Sequence, residues 1–248
     1  MQQYFIDSKV LDTIEFNEEQ SFHIQRVLRM KEGTVVKVVD ADENAAFVTI
    51  HYEQKKVLGI LKEKLEPQKR KIRITLAASL IKKDKWDFCI QKACECGAYT
   101  IAPFVSERSI VRIQDEKNEK KRIRWQKIAS EACEQSKQDH CTQIMDVCEF
   151  SEVLEMKSDL KLIAYENADR IASNIATILK KNPDVKNILI VIGPEGGFSE
   201  EEVKKALDHD FVCVSLGESI LRAETASICA ITMLRYHYEL LKEGIEYD

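Results

Sequence analysis

NILIVIGPEGGFSEEEVKKALD, residues 187–208, holds a strand, a turn and a helix in succession. The apolar run 188–192 has the length and β-branched content of a buried strand. Gly193, Gly196 and Gly197 then fall within five positions in a chain that has only eight glycines. Ser199, with Glu202 three residues on, forms a capping box that fixes the start of the following helix. A strand leading through glycines into a helix is the repeating unit of an α/β sheet. Ligands of such sheets bind outside the carboxyl ends of the strands, where glycine lets them approach the main chain. A second turn, in SLGESILRAETAS (215–227), places Gly217 at the end of the next apolar run, FVCVS. Two readings of the glycines stand side by side: a tight turn alone, or a turn that holds a ligand. If the two strands are neighbours, both turns line one pocket.

The same alternation extends upstream. IRITLAASL (72–80), KWDFCIQKACECG (85–97) and YTIAPFVSE (99–107) read as strand, helix, strand, with Trp86, Cys89, Ile90 and Ala93 at helical spacing and Gly97 as the stop. A long helix around Trp125, a strand KLIAYE (161–166), a helix ending before Pro183 and a final helix TASICAITMLRYHYEL (225–240) complete the pattern. Alternating strands and helices imply a mostly parallel sheet. Before Pro67 the architecture differs. VVKVVD (35–40), AFVTIHYE (46–53) and KVLGILKEK (56–64), broken by Gly33, the polar ADEN and Gly59, read as a small all-β unit. Between its parts EEQSFHIQRVLRMKEG (18–33) reads as a helix with Phe22, Ile24, Val27 and Leu28 toward the core and His23, Arg26, Arg29 and Lys31 outside.

Composition narrows the function. The chain has 248 residues, of which 44% are hydrophobic, enough for one large domain or two small ones. It opens without a signal-peptide pattern and has no run long and apolar enough to span a membrane, so a cytoplasmic location is expected. The eight cysteines read as reduced thiols in packed positions, and no metal site is expected because no CxxC spacing occurs. The net charge of −5 argues against indiscriminate nucleic-acid binding. Its distribution is uneven: Lys55–Arg73 carries eight basic residues against two acids, and Lys117–Lys137 seven against three. Such runs are either solvated faces or RNA contacts. The glycine turns do not fit GxxxxGK[ST], and GPEGG has the wrong spacing and place for a dinucleotide fingerprint. A nucleotide-dependent kinase or oxidoreductase therefore lacks its phosphate site, while a non-catalytic RNA-binding module would have no use for the two turns.

LIVIGPEGGFSEEE and LGESILRAETA together resemble the two signature turns of the bacterial RsmE family, the 16S ribosomal RNA uridine-N3 methyltransferases of the SPOUT class. The resemblance continues in order through HIQRVLRMKEG, KWDFCIQKACECGA, SERS (106–109) and RWQKIASEACEQSK, and covers nearly the whole chain. It implies an N-terminal PUA-like β-barrel over residues 1–70 that binds RNA. It also implies a C-terminal SPOUT-type α/β domain over 71–248, tied in a trefoil knot, that binds S-adenosylmethionine and dimerises. The implied substrate is a specific uridine, expected to be uracil-1498, in 16S ribosomal RNA or the small subunit. The alternative is a SPOUT-class enzyme acting at another RNA site.

Carried over by motif, the cofactor site is Gly193, Pro194, Glu195, Gly196 and Gly197 in the first turn and Leu216, Gly217, Ile220, Leu221 and Arg222 in the second. Methylation at uracil N3 requires loss of a weakly acidic N–H and in-line placement of the nitrogen. Arg222 is the candidate for stabilising the uracil anion, and Glu224 for taking the proton or orienting Arg222; the two can equally pair with each other. Arg26, Arg29, Lys69, Arg70, Lys71 and Arg108 are the candidate RNA contacts. The apolar final helix, with Ile228, Ile231, Met233, Leu234 and Tyr238, supports a homodimer. Cys96, Lys137, Glu218 and Ser219 depart from the usual family pattern; Glu218 and Ser219 lower positive charge near the expected RNA face.

Overall fold

The computed structural model describes residues 1–54, 56–66, 70–109, 118–165 and 173–241, and the chain divides into two compact units. The first comprises Met1–Lys69 together with Cys133–Cys141, and the second Arg70–Ala132 with Thr142–Asp248. The division at residues 69 and 70 lies beside the expected boundary, but membership of 133–141 in the first unit is not visible in a linear reading.

The first unit is a five-stranded sheet in the order β1-β3-β4-β5-β2, with β1 Gln3–Phe5, β2 Thr13–Glu15, β3 Val35–Val39, β4 Ala45–Glu53 and β5 Lys56–Lys64. The three long strands fall where alternation places them. Gly59 corrects one detail: it is not a break but lies inside β5, opposite Ile50 and Ile14 in the pairing. A Cβ there would stand 2.8 Å from both Ile14 Cγ1 and Val48 Cγ2, so the missing side chain leaves room for those two. Tyr4, Ile14, Phe16, Val36, Val38, Val48 and Ile50 fill the core.

The helix expected over 18–33 is shorter and differently wound. An α-helical turn, α1 (Glu18–Phe22), runs into a π-helical turn over His23–Val27. The wider turn rotates the following side chains out of register with a 3.6-residue stripe. Only Ile24 is buried, whereas Phe22, Val27 and Leu28 are exposed. His23 is half-buried and its Nδ1 is hydrogen-bonded to the Tyr4 hydroxyl at 3.1 Å, so it is not a free outward group. Arg29 leaves the helix with φ +49°.

Polar contacts hold residues 133–141 in this unit. Phe5 N–H donates to Glu134 Oε1 at 3.0 Å and Gln3 Nε2 to the Gln138 carbonyl at 2.7 Å. Lys37 pairs with Asp139, both largely buried, and His140 Nδ1 lies 3.0 Å from Glu43 Oε1.

The second unit is an eight-stranded sheet whose pairings are all parallel. Its strands are β6 Arg73–Ser79, β7 Thr100–Val105, β8 Gln143–Ile144, β9 Cys148–Glu149, β10 Leu160–Ala164, β11 Ser173–Asn174, β12 Asn187–Ile192 and β13 Val212–Ser215. The order is β11-β13-β10-β12-β6-β7-β8, with β9 also on β7. The helices are α2 Lys83–Glu95, α3 Asn118–Gln135, α4 Phe150–Leu154, α5 Ile175–Lys181, α6 Glu200–Asp208 and α7 Ala223–Arg235, which continues as a π-helical turn over Tyr236–Leu240. Trp86, Cys89, Ile90 and Ala93 are the buried face of α2, and α2 packs against α7. Gly97, at φ +91°, ends α2: Ala98 N–H returns to the Ala93 carbonyl and Gly97 N–H to that of Cys94, a Schellman closure. Phe104, Phe150 and Phe198 cluster with ring centroids 5.6–6.4 Å apart beneath the first glycine turn.

Of the eight cysteines, four are buried and four half-buried. Among the described residues no cluster of histidine, cysteine, aspartate or glutamate suits a metal ion, and no helix is long and apolar enough to cross a membrane.

Candidate active site

β12 and β13 are not direct neighbours: each pairs with β10, which lies between them. All three run parallel, so their carboxyl ends emerge side by side. There the two glycine turns and the end of β10 enclose a cavity of ≈ 260 Å³. From the first turn Gly193, Pro194, Glu195 and Gly197 line it, and from the second Leu216, Gly217, Ile220, Leu221 and Arg222. Gly196 is the one member of the expected cofactor set that does not. Its missing side chain faces outward, where a Cβ would meet Arg108 Cβ at 3.5 Å.

Sequence reading missed Ala164 and Tyr165, which reach the wall from the end of β10. The signal available was the strand KLIAYE itself, but no glycine marks its end. Ala226, one turn into α7, also lines the cavity, as do Glu218 and Ser219.

Local chemistry fixes both turns. Gly197 N–H donates to the Pro194 carbonyl at 3.0 Å, closing the first. α6 then starts at the capping box read from sequence: Ser199 Oγ accepts from Glu202 N–H at 3.2 Å, and Glu202 Oε2 accepts from Ser199 N–H at 3.0 Å. Glu202 is buried, and its other oxygen accepts from Ser106 Oγ at 2.9 Å and Glu107 N–H at 3.0 Å. In the second turn Ser215 Oγ donates to the Gly217 carbonyl and accepts from Gly217 N–H, at 3.0 and 3.3 Å. Gly217 has φ +134°, with open space where a Cβ would stand.

The remaining candidates are placed as follows. Arg222 is exposed, stands at the N-cap of α7 and borders the cavity. Glu224 is buried in the first turn of α7 but outside the cavity lining; its Oε1 lies 3.7 Å from Lys85 Nζ on α2, and its Oε2 has no hydrogen-bond partner among the described residues. Burial pushes the nearby Cys89 thiol up to about 11, with the Glu224 charge adding to the effect. Arg26 and Arg29 are exposed on the first unit. Arg70 donates to the Gly97 carbonyl at 3.3 Å and, with Arg73, lies over the Tyr99 ring, while Lys71 is exposed. Lys69 lies outside the described residues. Arg108 donates through Nη1 to the carbonyls of Gly196 and Phe198, at 3.2 and 3.3 Å. Ile231, Leu234 and Tyr238 are buried within their own unit, leaving Ile228 and Met233 half-buried on the final helix.

The family model of an RNA methyltransferase domain matches residues 67–235, and that of an RNA methyltransferase PUA domain matches residues 16–58. The ribosomal RNA small subunit methyltransferase E of Bacillus subtilis is 35% identical over 98% of this chain and 99% of its own. The chain belongs to the RNA methyltransferase E family. Among solved structures, the methyltransferase E of Neisseria gonorrhoeae, bound to S-adenosyl methionine, superposes with TM-score 0.88 at 27% identity, covering 98% of this chain and 100% of that one. A putative methyltransferase from Legionella pneumophila, also in complex with that cofactor, gives 0.83 at 28% identity, covering 94% and 96%. As a member of this family the chain combines a PUA-like unit with a methyltransferase unit, and the cavity lies wholly in the latter.

Proposed function

We propose that the cavity holds S-adenosylmethionine and that the protein methylates N3 of one uridine, uracil-1498, in 16S ribosomal RNA. The observation that carries this reading is the convergence of both glycine turns and the end of β10 on one cavity. The residues present suit the cofactor. Ile192, Val214, Leu216 and Leu221 offer an apolar wall, the turns offer main-chain polar groups, and the Glu195 and Glu218 carboxylates at the rim suit a ligand of net positive charge. Bound there, the cofactor supplies an electrophilic methyl group on a sulfonium.

The chain's own residues orient and neutralise. Arg222, beside the positive N-terminal end of α7, stabilises the uracil anion formed when N3 loses its proton. Proton removal falls to water, because Glu224 stands outside the cavity against Lys85. Arg26, Arg29 and Lys71 supply phosphate contacts that fix register without reading bases. The same reading includes a homodimer and the trefoil knot; the knot is supported by β12 lying between β10 and β6 with β13 returning outside β10.

Calorimetry with S-adenosylmethionine and mass mapping of 16S RNA after incubation with protein and cofactor test the assignment. Binding, with one added methyl at uracil-1498, is the expected result. Absence of binding overturns the cofactor site; methylation at another nucleotide overturns the target alone.

A further inference from the structure

We propose that Arg108 is a positioning residue of the cofactor site rather than an RNA contact. The inference rests on the cofactor reading above. The first glycine turn has an inner and an outer side. Its inner side, Gly193, Pro194, Glu195 and Gly197, lines the cavity. Its outer side is covered by the segment Ser106–Ser109 that follows β7. There the Arg108 guanidinium donates to the carbonyls of Gly196 and Phe198 at 3.2 and 3.3 Å, and the Arg108 side chain lies against Gly196.

That segment is itself rigidly held. Ser109 Oγ is 2.7 Å from Ser79 Oγ at the end of β6, and accepts from Ser106 N–H at 2.8 Å. Ser106 Oγ and Glu107 N–H both donate to the buried Glu202 carboxylate, whose other oxygen caps α6. Ser199 Oγ donates to Glu107 Oε2 at 2.7 Å. The turn is thus anchored at its helix end by Glu202 and at its tip by Arg108. The tip carries no other side-chain hydrogen bond among the described contacts.

A charged donor to a carbonyl is stronger than a neutral one, and it fixes which way the peptide planes of 196–198 face. Those planes set where the main chain of Gly193–Gly197 meets the ligand. Arg108 is exposed, so its removal costs the unliganded fold little.

The test uses the full chain and three variants, Arg108→Ala, Arg108→Gln and Arg108→Lys. With RNA absent, Arg108→Ala is expected to weaken S-adenosylmethionine binding about tenfold, with the melting temperature of the unliganded protein unchanged. Arg108→Lys, which keeps a cationic donor, is expected to recover part of that loss, and Arg108→Gln less. In turnover assays KM for the cofactor rises while kcat at saturating cofactor and KM for RNA hold. Wild-type cofactor affinity in Arg108→Ala, with weaker RNA binding and a flatter salt dependence, overturns the proposal and makes Arg108 an RNA contact. A fall in melting temperature with cofactor affinity unchanged also overturns it. Failure of the wild-type protein itself to bind the cofactor refutes the underlying site instead.

Discussion

Arg222 and Gly217 stand five residues apart on the same cavity but answer to different measurements. Arg222 acts on charge that exists only as the reaction proceeds, so Arg222→Ala is expected to lower kcat by roughly 10²–10³, the usual effect of losing one preorganised charge stabiliser, with a smaller change in cofactor affinity. Single-turnover methylation and calorimetry separate the two. Gly217 holds φ +134°, which a β-branched residue adopts only at a cost of about 1–3 kcal/mol, and its Cβ direction is open space beside the cavity. Gly217→Val is therefore expected to reduce S-adenosylmethionine affinity more than tenfold, about 1.4 kcal/mol or more. Gly196→Ala, whose Cβ meets Arg108 at an ordinary 3.5 Å, is expected to bind normally. Equal affinities in all three proteins would mean that the ligand does not lie on these turns. A glycine in sequence shows that bare backbone is needed, not which side of the chain needs it; Gly196 and Gly217 look alike until the fold gives each a neighbour.

At the scale of single elements, the β3–β4 hairpin and the end of α2 each depend on one residue. Asp40 is buried at the hairpin and collects donors: Oδ1 accepts from Asp42 N–H and Asn44 N–H, and Oδ2 from Val10 N–H. Burial alone would raise its pKa, but the hydrogen bonds from Val10, Asn44 and Asp42 outweigh it and hold the carboxyl below its ordinary value. A depressed folded pKa stabilises the fold fully above the unfolded value of about 3.9 and progressively less as pH falls through the folded one. Asp40→Asn is expected to destabilise the first unit by about 1–3 kcal/mol at neutral pH, because an amide N–H₂ then faces a donor. The gap from wild type narrows below about pH 4, and urea denaturation at a series of pH values measures it. A gap independent of pH would show that ionisation of Asp40 is immaterial.

Gly97 closes α2 at φ +91°, and a Cβ there would approach Arg235 Cδ and Cζ to 2.9 Å. The Arg235 side chain is held in place, donating through Nη1 to the Cys96 carbonyl and through Nε to Glu239. Gly97→Ala combines backbone strain with a displaced arginine and is expected to lower stability by about 1–3 kcal/mol in thermal or chemical melts. The stop itself is legible in sequence as a glycine after a helical stripe; the arginine that fills its place is not.

For the whole molecule, the division of labour between units is the testable property. Arg26→Ala and Arg29→Ala in the full chain are expected to leave S-adenosylmethionine binding intact and to flatten the salt dependence of RNA binding by nearly one unit of slope per lost duplex contact. Unchanged slopes would remove these arginines from the RNA surface. A homodimer is expected at micromolar concentration, read as mass in solution. The apolar surplus behind that expectation is smaller than the sequence suggests, since Ile231, Leu234 and Tyr238 are consumed by their own unit.

Local rules were enough for much of this protein. Alternation placed β3, β4 and β5, the strand–turn–helix rhythm placed the parallel sheet, and Ser199 with Glu202 marked the start of α6 because a capping box involves only residues three apart. Motif resemblance supplied nine of the residues that converge on the cavity. Tertiary structure decided what depends on distant partners. It inserted β10 between β12 and β13, so that Tyr165 joined a site no spacing connects it to. It turned Val27 and Leu28 outward through a π-helical turn, left Phe22 exposed ahead of that turn, drew residues 133–141 into the first unit through Lys37 and Glu43, and moved Glu224 away from the cavity. Propensity and capping act over a few residues and are written in their order, whereas a wall, a buried ion pair or a pocket is made by segments whose meeting is set only when the whole sheet has formed.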